Sequence, residues 1–149
     1  MIRKAKISDV SEVVSLINIF ADEGKMLPRP LSEIYEQLRD FYVCEENGEL
    51  VGCAALHIAW EDLAEIRSLA VRRDDQGRGL GKELVQHCLE EARHLEVKRI
   101  FALTYTPEFF EKLGFTEHPK EELPHKIWTD CLKCPKFPNC DEVAVILEL

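Results

Sequence analysis

Nothing in the sequence approaches the roughly 20 consecutive apolar residues that a membrane-spanning helix requires. The opening Met1-Ile2-Arg3-Lys4 also lacks the apolar stretch of an export signal. Basic charge is scarce: 19 Lys and Arg stand against 28 Asp and Glu, for a net charge of −9. That balance argues against a general nucleic-acid binder, because affinity for phosphate backbones rests on basic charge. With 7 Gly and 7 Pro, no low-complexity tract, internal repeat or interdomain linker is visible. What is abundant is apolar: 46% of the 149 residues are hydrophobic, too many for a disordered chain. A domain of this length buries about 70% of its unfolded surface, a core that needs no disulfide or metal to stand. The expectation is a soluble, cytoplasmic single domain over 1–149, with a cysteine-containing segment at 119–141.

Cys44, Cys53 and Cys88 fall in apolar-periodic segments, where free cysteine behaves as a small buried hydrophobe. Without an export signal, disulfides are not expected. Cys131, Cys134 and Cys140 lie close together. Cys-x2-Cys is metal-ligand spacing, Cys140 adds a third thiolate, and His125 or Asp141 could complete a tetrahedral structural zinc site. The alternative is three reduced thiols in a proline-stiffened loop.

Periodicity gives the element order. Ile2 to Lys6 is a short strand. Asp9 caps a helix, with Glu12 at capping-box spacing and Val10, Val13, Val14, Ile17 and Phe20 on one face. After the break at Gly24 to Pro30, Ser32 caps a second helix carrying Ile34, Tyr35 and Leu38. Strands at Phe41 to Cys44 and Leu50 to Leu56 flank Asn47-Gly48, a hairpin dipeptide. Ala64 to Val71 is a further strand. A helix from Leu80 to Leu95 then turns Leu80, Leu84, Val85, Cys88, Leu89 and Ala92 inward. Arg99 to Thr104 is a strand, Pro107 to Leu113 a short helix, Gly114-Phe115 opens a return strand, and Val143 to Leu147 closes the sheet. The fold class is α/β, one mixed sheet with helices packed on it.

Gln76-Gly77-Arg78-Gly79-Leu80-Gly81 sits between a strand and a helix. Glycines let the backbone approach an anion, and the free amides and dipole of the following helix attract phosphate. Arg72, Arg73, Arg78 and Lys82 make a local basic cluster on an acidic chain, which favours a specific anionic ligand. The plain alternative is an ordinary glycine-rich connection. There is no Lys-Ser/Thr pair for a nucleotide P-loop, and no acidic residue suitably placed for a dinucleotide fingerprint.

Gln-x-x-Gly-x-Gly after a strand, followed by Glu111-Lys112-Leu113-Gly114-Phe115, resembles the GNAT N-acetyltransferase superfamily. Gly52-Cys53-Ala54-Ala55-Leu56, Ala64 to Val71, and Leu103-Thr104 ahead of Phe109-Phe110-Glu111 further resemble the acetyltransferase domain of bacterial N-acetylglutamate synthases, in a short form. The resemblance implies a GNAT fold with a mostly antiparallel sheet. It also implies acetyl-CoA as cosubstrate, clasped by Leu69, Ala70, Val71, Gln76, Gly77, Arg78, Gly79, Leu80, Gly81 and Lys82. The implied activity is direct acetyl transfer to the α-amine of glutamate, in arginine biosynthesis.

The same resemblance makes Glu65 the general base; its plain alternative is a strand glutamate paired with Arg67. Phe110 stands where many members carry a tyrosine acid and has no proton to give. The synthases' strand-end hydroxyl then falls on Thr104, with Tyr105 as the neighbouring choice; a capping hydroxyl is the plain reading of Thr104. Arg29, in Leu27-Pro28-Arg29-Pro30, matches an arginine that grips substrate. Arg67 and Lys126 are further candidates, and backbone near Ser68 and Leu69 could hold the amine. His57 follows the apolar strand towards the cleft, whereas His87, His94 and His118 read as helix-surface or loop residues. Other acceptors remain open (another amino acid, a polyamine or a protein amine), as does a non-catalytic acyl-CoA or metal-binding regulatory module. Edge strands are compatible with a homodimer; no nucleic acid or membrane partner is expected.

Overall fold

The computed structural model describes residues 1–26, 28–123 and 142–149. The chain runs β1 (Ile2–Lys4), α1 (Val10–Asp22), α2 (Leu31–Glu36), β2 (Phe41–Glu46), β3 (Glu49–Trp60) and β4 (Leu63–Val71). It continues through α3 (Leu80–His94), β5 (Arg99–Thr104), α4 (Pro107–Glu111), β6 (Thr116–His118) and β7 (Val143–Glu148). The strands form one seven-stranded sheet in the order β1-β2-β3-β4-β5-β7-β6. β4 and β5 pair in parallel and the other described pairs are antiparallel. This is the mixed, mostly antiparallel α/β sheet expected from the sequence. Asn47 and Gly48 both take positive φ, 53° and 79°, as a type I′ hairpin turn requires.

One face of the sheet is covered by α3. Leu80, Leu84, Val85, Cys88, Leu89 and Ala92 are all buried, against Ala54, Leu56, Ala64, Ile66, Ile100 and Ala102. Each fully buried leucine contributes on the order of 1.5–3 kcal/mol. The helix lies so close to β3 that a Cβ on Gly52 would stand 3.1 Å from Leu84 Cδ1 and 3.3 Å from the Ala70 carbonyl oxygen. A side chain there would require Leu84 and the Ala70 carbonyl to give by a few tenths of an ångström.

The opposite face carries α1 and α2. Val10, Val13, Leu16, Ile17 and Phe20 of α1 and Ile34 of α2 pack on Phe41, Val43, Cys53, Ala55 and Ala70. Local expectations shift here. Leu16 is fully buried in place of Val14, which is half-buried, and Tyr35 faces solvent. β1 ends at Lys4 rather than Lys6.

The cap at α1 also differs from the expected capping box. Residues 7–9 form a 3₁₀ turn, and Asp9 accepts the Lys6 amide at 2.7 Å and two bonds from Arg3 at 2.7 and 3.0 Å. The Arg3 guanidinium holds the Asp9 carboxyl below its ordinary value against the opposing effect of burial. Glu12 turns instead to accept the Leu50 amide at 3.3 Å, tying α1 to β3. Pro30, not Ser32, occupies the cap position of α2, and Ser32 lies inside the helix. Among the described residues, no helix is long and apolar enough to cross a membrane.

Candidate active site

The parallel seam of the sheet is short. β4 pairs with β5 only over Leu63–Glu65 and Arg99–Phe101. Beyond Glu65, β4 continues along β3 while β5 continues along β7 to Thr104. The two strands therefore part, leaving an opening flanked by residues 66–71 on one side and 102–104 on the other.

A bulge in β4 sits at this opening. Register passes from Cys53↔Ala70 to Ala55↔Arg67, so Ser68 and Leu69 together oppose Ala54. Ser68 takes φ 54°, a conformation that costs a residue with a side chain and marks the first position of many bulges. It is pinned from two directions. Cys53 Sγ donates to the Ser68 carbonyl at 3.3 Å, and Arg29 Nη1 donates to Ser68 Oγ at 2.9 Å. Burial pushes the Cys53 thiol up to about 12, so it stays a protonated donor. The bulge also reverses the alternation of β4. Leu69 and Val71 face the α3 side, whereas Ala70 joins the α1 side.

Arg29 is 8% exposed, so it is not the solvated arginine that a loop position suggests. Besides Ser68, it donates through Nη2 to Gln37 Oε1. Its Nε stands 2.7 Å from Glu33 Oε1, although the N–H makes no hydrogen bond. A carboxylate already rests against this guanidinium.

Glu65 is also buried, and its Oε1 accepts from Arg67 Nε at 2.6 Å. Both readings of Glu65 meet here, since the ion pair is present and the carboxylate stands where the strands part. His57 lies directly opposite Glu65 across the β3–β4 ladder, and its Nδ1 is 3.1 Å from Asp40 Oδ2. Gln37, Glu33 and Asp40 carry no motif signal, and Cys53 enters the resemblance only as part of Gly52 to Leu56. Only their meeting at Arg29, Ser68 and His57 reveals them.

From Val71 the chain turns into α3 through Gln76 to Gly81. Gly77 and Gly79 take φ 83° and 82°, and a Cβ at either would have open space around it, so the turn needs glycine for its dihedrals alone. The first ladder bond of α3 runs from the Glu83 amide to the Gly79 carbonyl at 3.0 Å. The amides of Leu80, Gly81 and Lys82 precede it and have no intrahelical acceptor. They fit a phosphate group by chemistry and by helix dipole.

The arginines of the basic cluster are engaged with carboxylates. Arg78 is paired with both Glu46 oxygens at 2.9 and 2.8 Å and with Asp75 at 2.8 Å. Arg72 is paired with Glu49 and Asp75, and Arg73 with Glu23. The Arg78 bond holds the half-buried Glu46 carboxyl below its ordinary value. The arginines thus brace the turn, and Gln76 Nε2 adds a bond to the Val71 carbonyl at 3.0 Å. The main-chain amides at the start of α3 lie beside these ion pairs, with the exposed Lys82 next to them.

Across the opening, Thr104 is buried at the end of β5. Its Oγ1 accepts the Thr106 amide at 2.9 Å and lies 3.2 Å from the Thr106 hydroxyl. Tyr105 is half-buried beside it. Phe110 is 4% exposed and packs edge-on to Phe109 and Phe115; at this position the ring is core. Phe109 also lies over the helix start, 3.4 Å from where a Gly81 Cβ would be. Lys126, Cys131, Cys134 and Cys140, with His125 and Asp141, lie outside the described residues.

Comparison with known proteins agrees with this architecture. Residues 13–115 match the model of the acetyltransferase (GNAT) family. The chain is 38% identical over 148 residues to an uncharacterized N-acetyltransferase of Chlorobaculum tepidum, covering 99% of this chain and 96% of that one. It is 41% identical over 121 residues to an amino-acid acetyltransferase of Mycobacterium tuberculosis, covering 78% and 68%. The N-acetylglutamate synthase of Neisseria gonorrhoeae, solved with coenzyme A and N-acetyl-glutamate, superimposes with a TM-score of 0.91 at 30% identity. All of this chain is covered there, but it spans only 35% of that protein. With the family model matching over most of its length, and with the parted strands and glycine turn in place, the chain belongs to the acetyltransferase (GNAT) family.

Proposed function

We propose that the protein transfers the acetyl group of acetyl-CoA directly to the α-amine of L-glutamate, the opening step towards arginine. The observation that carries this reading is the buried Arg29, held on the Ser68 bulge beside the parted strands. A guanidinium in a dry site binds carboxylate through charge-assisted bonds, and this one already has the Glu33 carboxylate against it. The amino-acid acetyltransferase and the N-acetylglutamate synthase among the relatives support the same acceptor class.

Acetyl-CoA supplies an activated thioester, and the residues around the opening supply the rest. The amides of Leu80, Gly81 and Lys82 hold its diphosphate, and the edge of residues 69–71, beyond the reach of β5 pairing, receives its chain. Glu65 takes the proton from the α-ammonium, so that the nitrogen lone pair can attack the acetyl carbon. Arg67 fixes the orientation of the Glu65 carboxylate. Main-chain groups of the bulge at Ser68 and Leu69 position the amine. The Thr104 hydroxyl, or that of Tyr105, donates to the departing sulfur as the carbon–sulfur bond breaks, and it regains a proton from the attacking nitrogen, which sheds its second proton as the amide forms. Phe110 has no part in proton transfer.

The test is thiol release from acetyl-CoA in the presence of single amino acids, polyamines and a peptide amine. Turnover confined to glutamate is the expected result. Turnover with another acceptor class moves the assignment within the family. Binding of acetyl-CoA without thiol release with any acceptor supports a sensor instead.

A further inference from the structure

We propose that Asp40 and His57 form a proton exit for Glu65, carrying to solvent the proton that Glu65 collects in each turnover. The inference rests on Glu65 being the base. A base that takes one proton per cycle must lose one per cycle, and the Glu65 side chain is only 10% exposed with Oε1 committed to Arg67. His57 is its cross-strand partner, and directly opposed residues on one face of an antiparallel pair have Cβ atoms about 4.5–5.5 Å apart. The His57 and Asp40 side chains are 29% and 27% exposed, so the pair spans from the buried base to water.

The chemistry of the pair sets the direction. An ionised carboxylate only accepts hydrogen bonds, so the 3.1 Å contact with Asp40 makes Nδ1 the protonated nitrogen of His57. Nε2 is then the basic nitrogen. The Glu65 O–H bond breaks, an N–H bond forms at Nε2, and the imidazolium is held by the Asp40 carboxylate until Nε2 passes the proton to water. No electrons change hands and no other reactant is needed. The charged groups placed around the ring by these contacts are Asp40 in the turn before β2, and Glu65 and Arg67 on β4.

The experiment compares the native protein with His57→Ala, His57→Gln and Glu65→Gln, at saturating substrates. His57→Ala should lower kcat about 10²-fold, the lower end of the usual range for losing a proton-transfer group. Its affinity for coenzyme A by calorimetry should not change. Added imidazole should restore kcat in His57→Ala in proportion to its concentration and leave the native rate unchanged. His57→Gln, which retains a donor for Asp40 but no basic nitrogen, should be as slow as His57→Ala. A native-like rate in either His57 variant overturns the exit, as does a slow His57→Ala that imidazole does not rescue. Glu65→Gln separates the two failures. If it is inactive while His57→Ala is normal, the exit alone falls. If it turns over normally, or if the native protein releases no thiol, the assignment of Glu65 falls and the exit with it.

Discussion

The two faces of β4 are neighbours along one strand, yet they carry opposite chemistry. On the α3 side, Ala64, Ile66, Leu69 and Val71 meet an unbroken apolar helix face. On the α1 side, Leu63 and Ala70 bracket Glu65 and Arg67, and the nearby buried groups include Arg29. The first face is close-packed and tolerates no unpaired polar atom; the second keeps charges in a dry place by pairing each with a named partner. In the proposed function the reacting groups belong to the second face, and the bulge at Ser68 sets which side chains of this single strand reach each face.

That division can be broken by experiment. The largest effect is expected for Glu65→Gln, an isosteric change on the polar face. It should lower kcat by about 10²–10⁴, the usual weight of a general base, while melting temperature and coenzyme A affinity stay near native. Next is Leu84→Ala on the apolar face. It should destabilise by about 2–5 kcal/mol, read as a lower urea midpoint at unchanged slope, with kcat of the remaining folded protein preserved. If either variant shows the other's phenotype, the two faces are not separable.

A third change sharpens the polar face itself. Arg29→Ala removes charge-assisted bonds of about 1.5–3 kcal/mol, so KM for glutamate should rise roughly 10–100-fold with little change for acetyl-CoA. An unchanged glutamate KM removes the main support for that acceptor.

The smallest effect is at the rim, where Asp9 is held below its ordinary value by Arg3. A carboxyl lowered in the folded state stabilises fully above its unfolded value of about 3.9. That contribution is lost as the pH falls through the lower folded value. Urea midpoints of the native protein should therefore drop over that acid range, and those of Asp9→Asn should change less. Identical slopes would show that the Arg3 contact adds nothing.

How far the residues announce the structure differs between the same two regions. All six inward positions of α3 follow from a 3.6-residue repeat, and β5 and the Asn47-Gly48 turn follow as directly. The glycine turn was readable because few chemistries need φ > 0 twice before a helix. The surroundings of Glu65 and Arg29 were not. Trp60↔Leu63 pairing, extended without interruption, would set Ile58 against Glu65; the register shift between Ile58 and Trp60 sets His57 there instead. A one-residue slip exchanges every side chain between faces, and no local pattern marks where this one falls. Likewise, simple alternation would keep Leu69 on the face of Arg67, and the Ser68 bulge moves it away.

By itself, the sequence determined the family, the order of elements, the apolar face of the sheet and the glycine turn before α3, because each depends on contacts or dihedrals within a few residues. The tertiary structure alone decided that Arg29 is buried on Ser68, that the loop arginines are braced by Glu46, Glu49, Glu23 and Asp75, and that His57 faces Glu65. Those outcomes depend on two bulges and on side chains brought from distant segments. Their positions follow from how the whole sheet closes, which no short stretch of chain encodes.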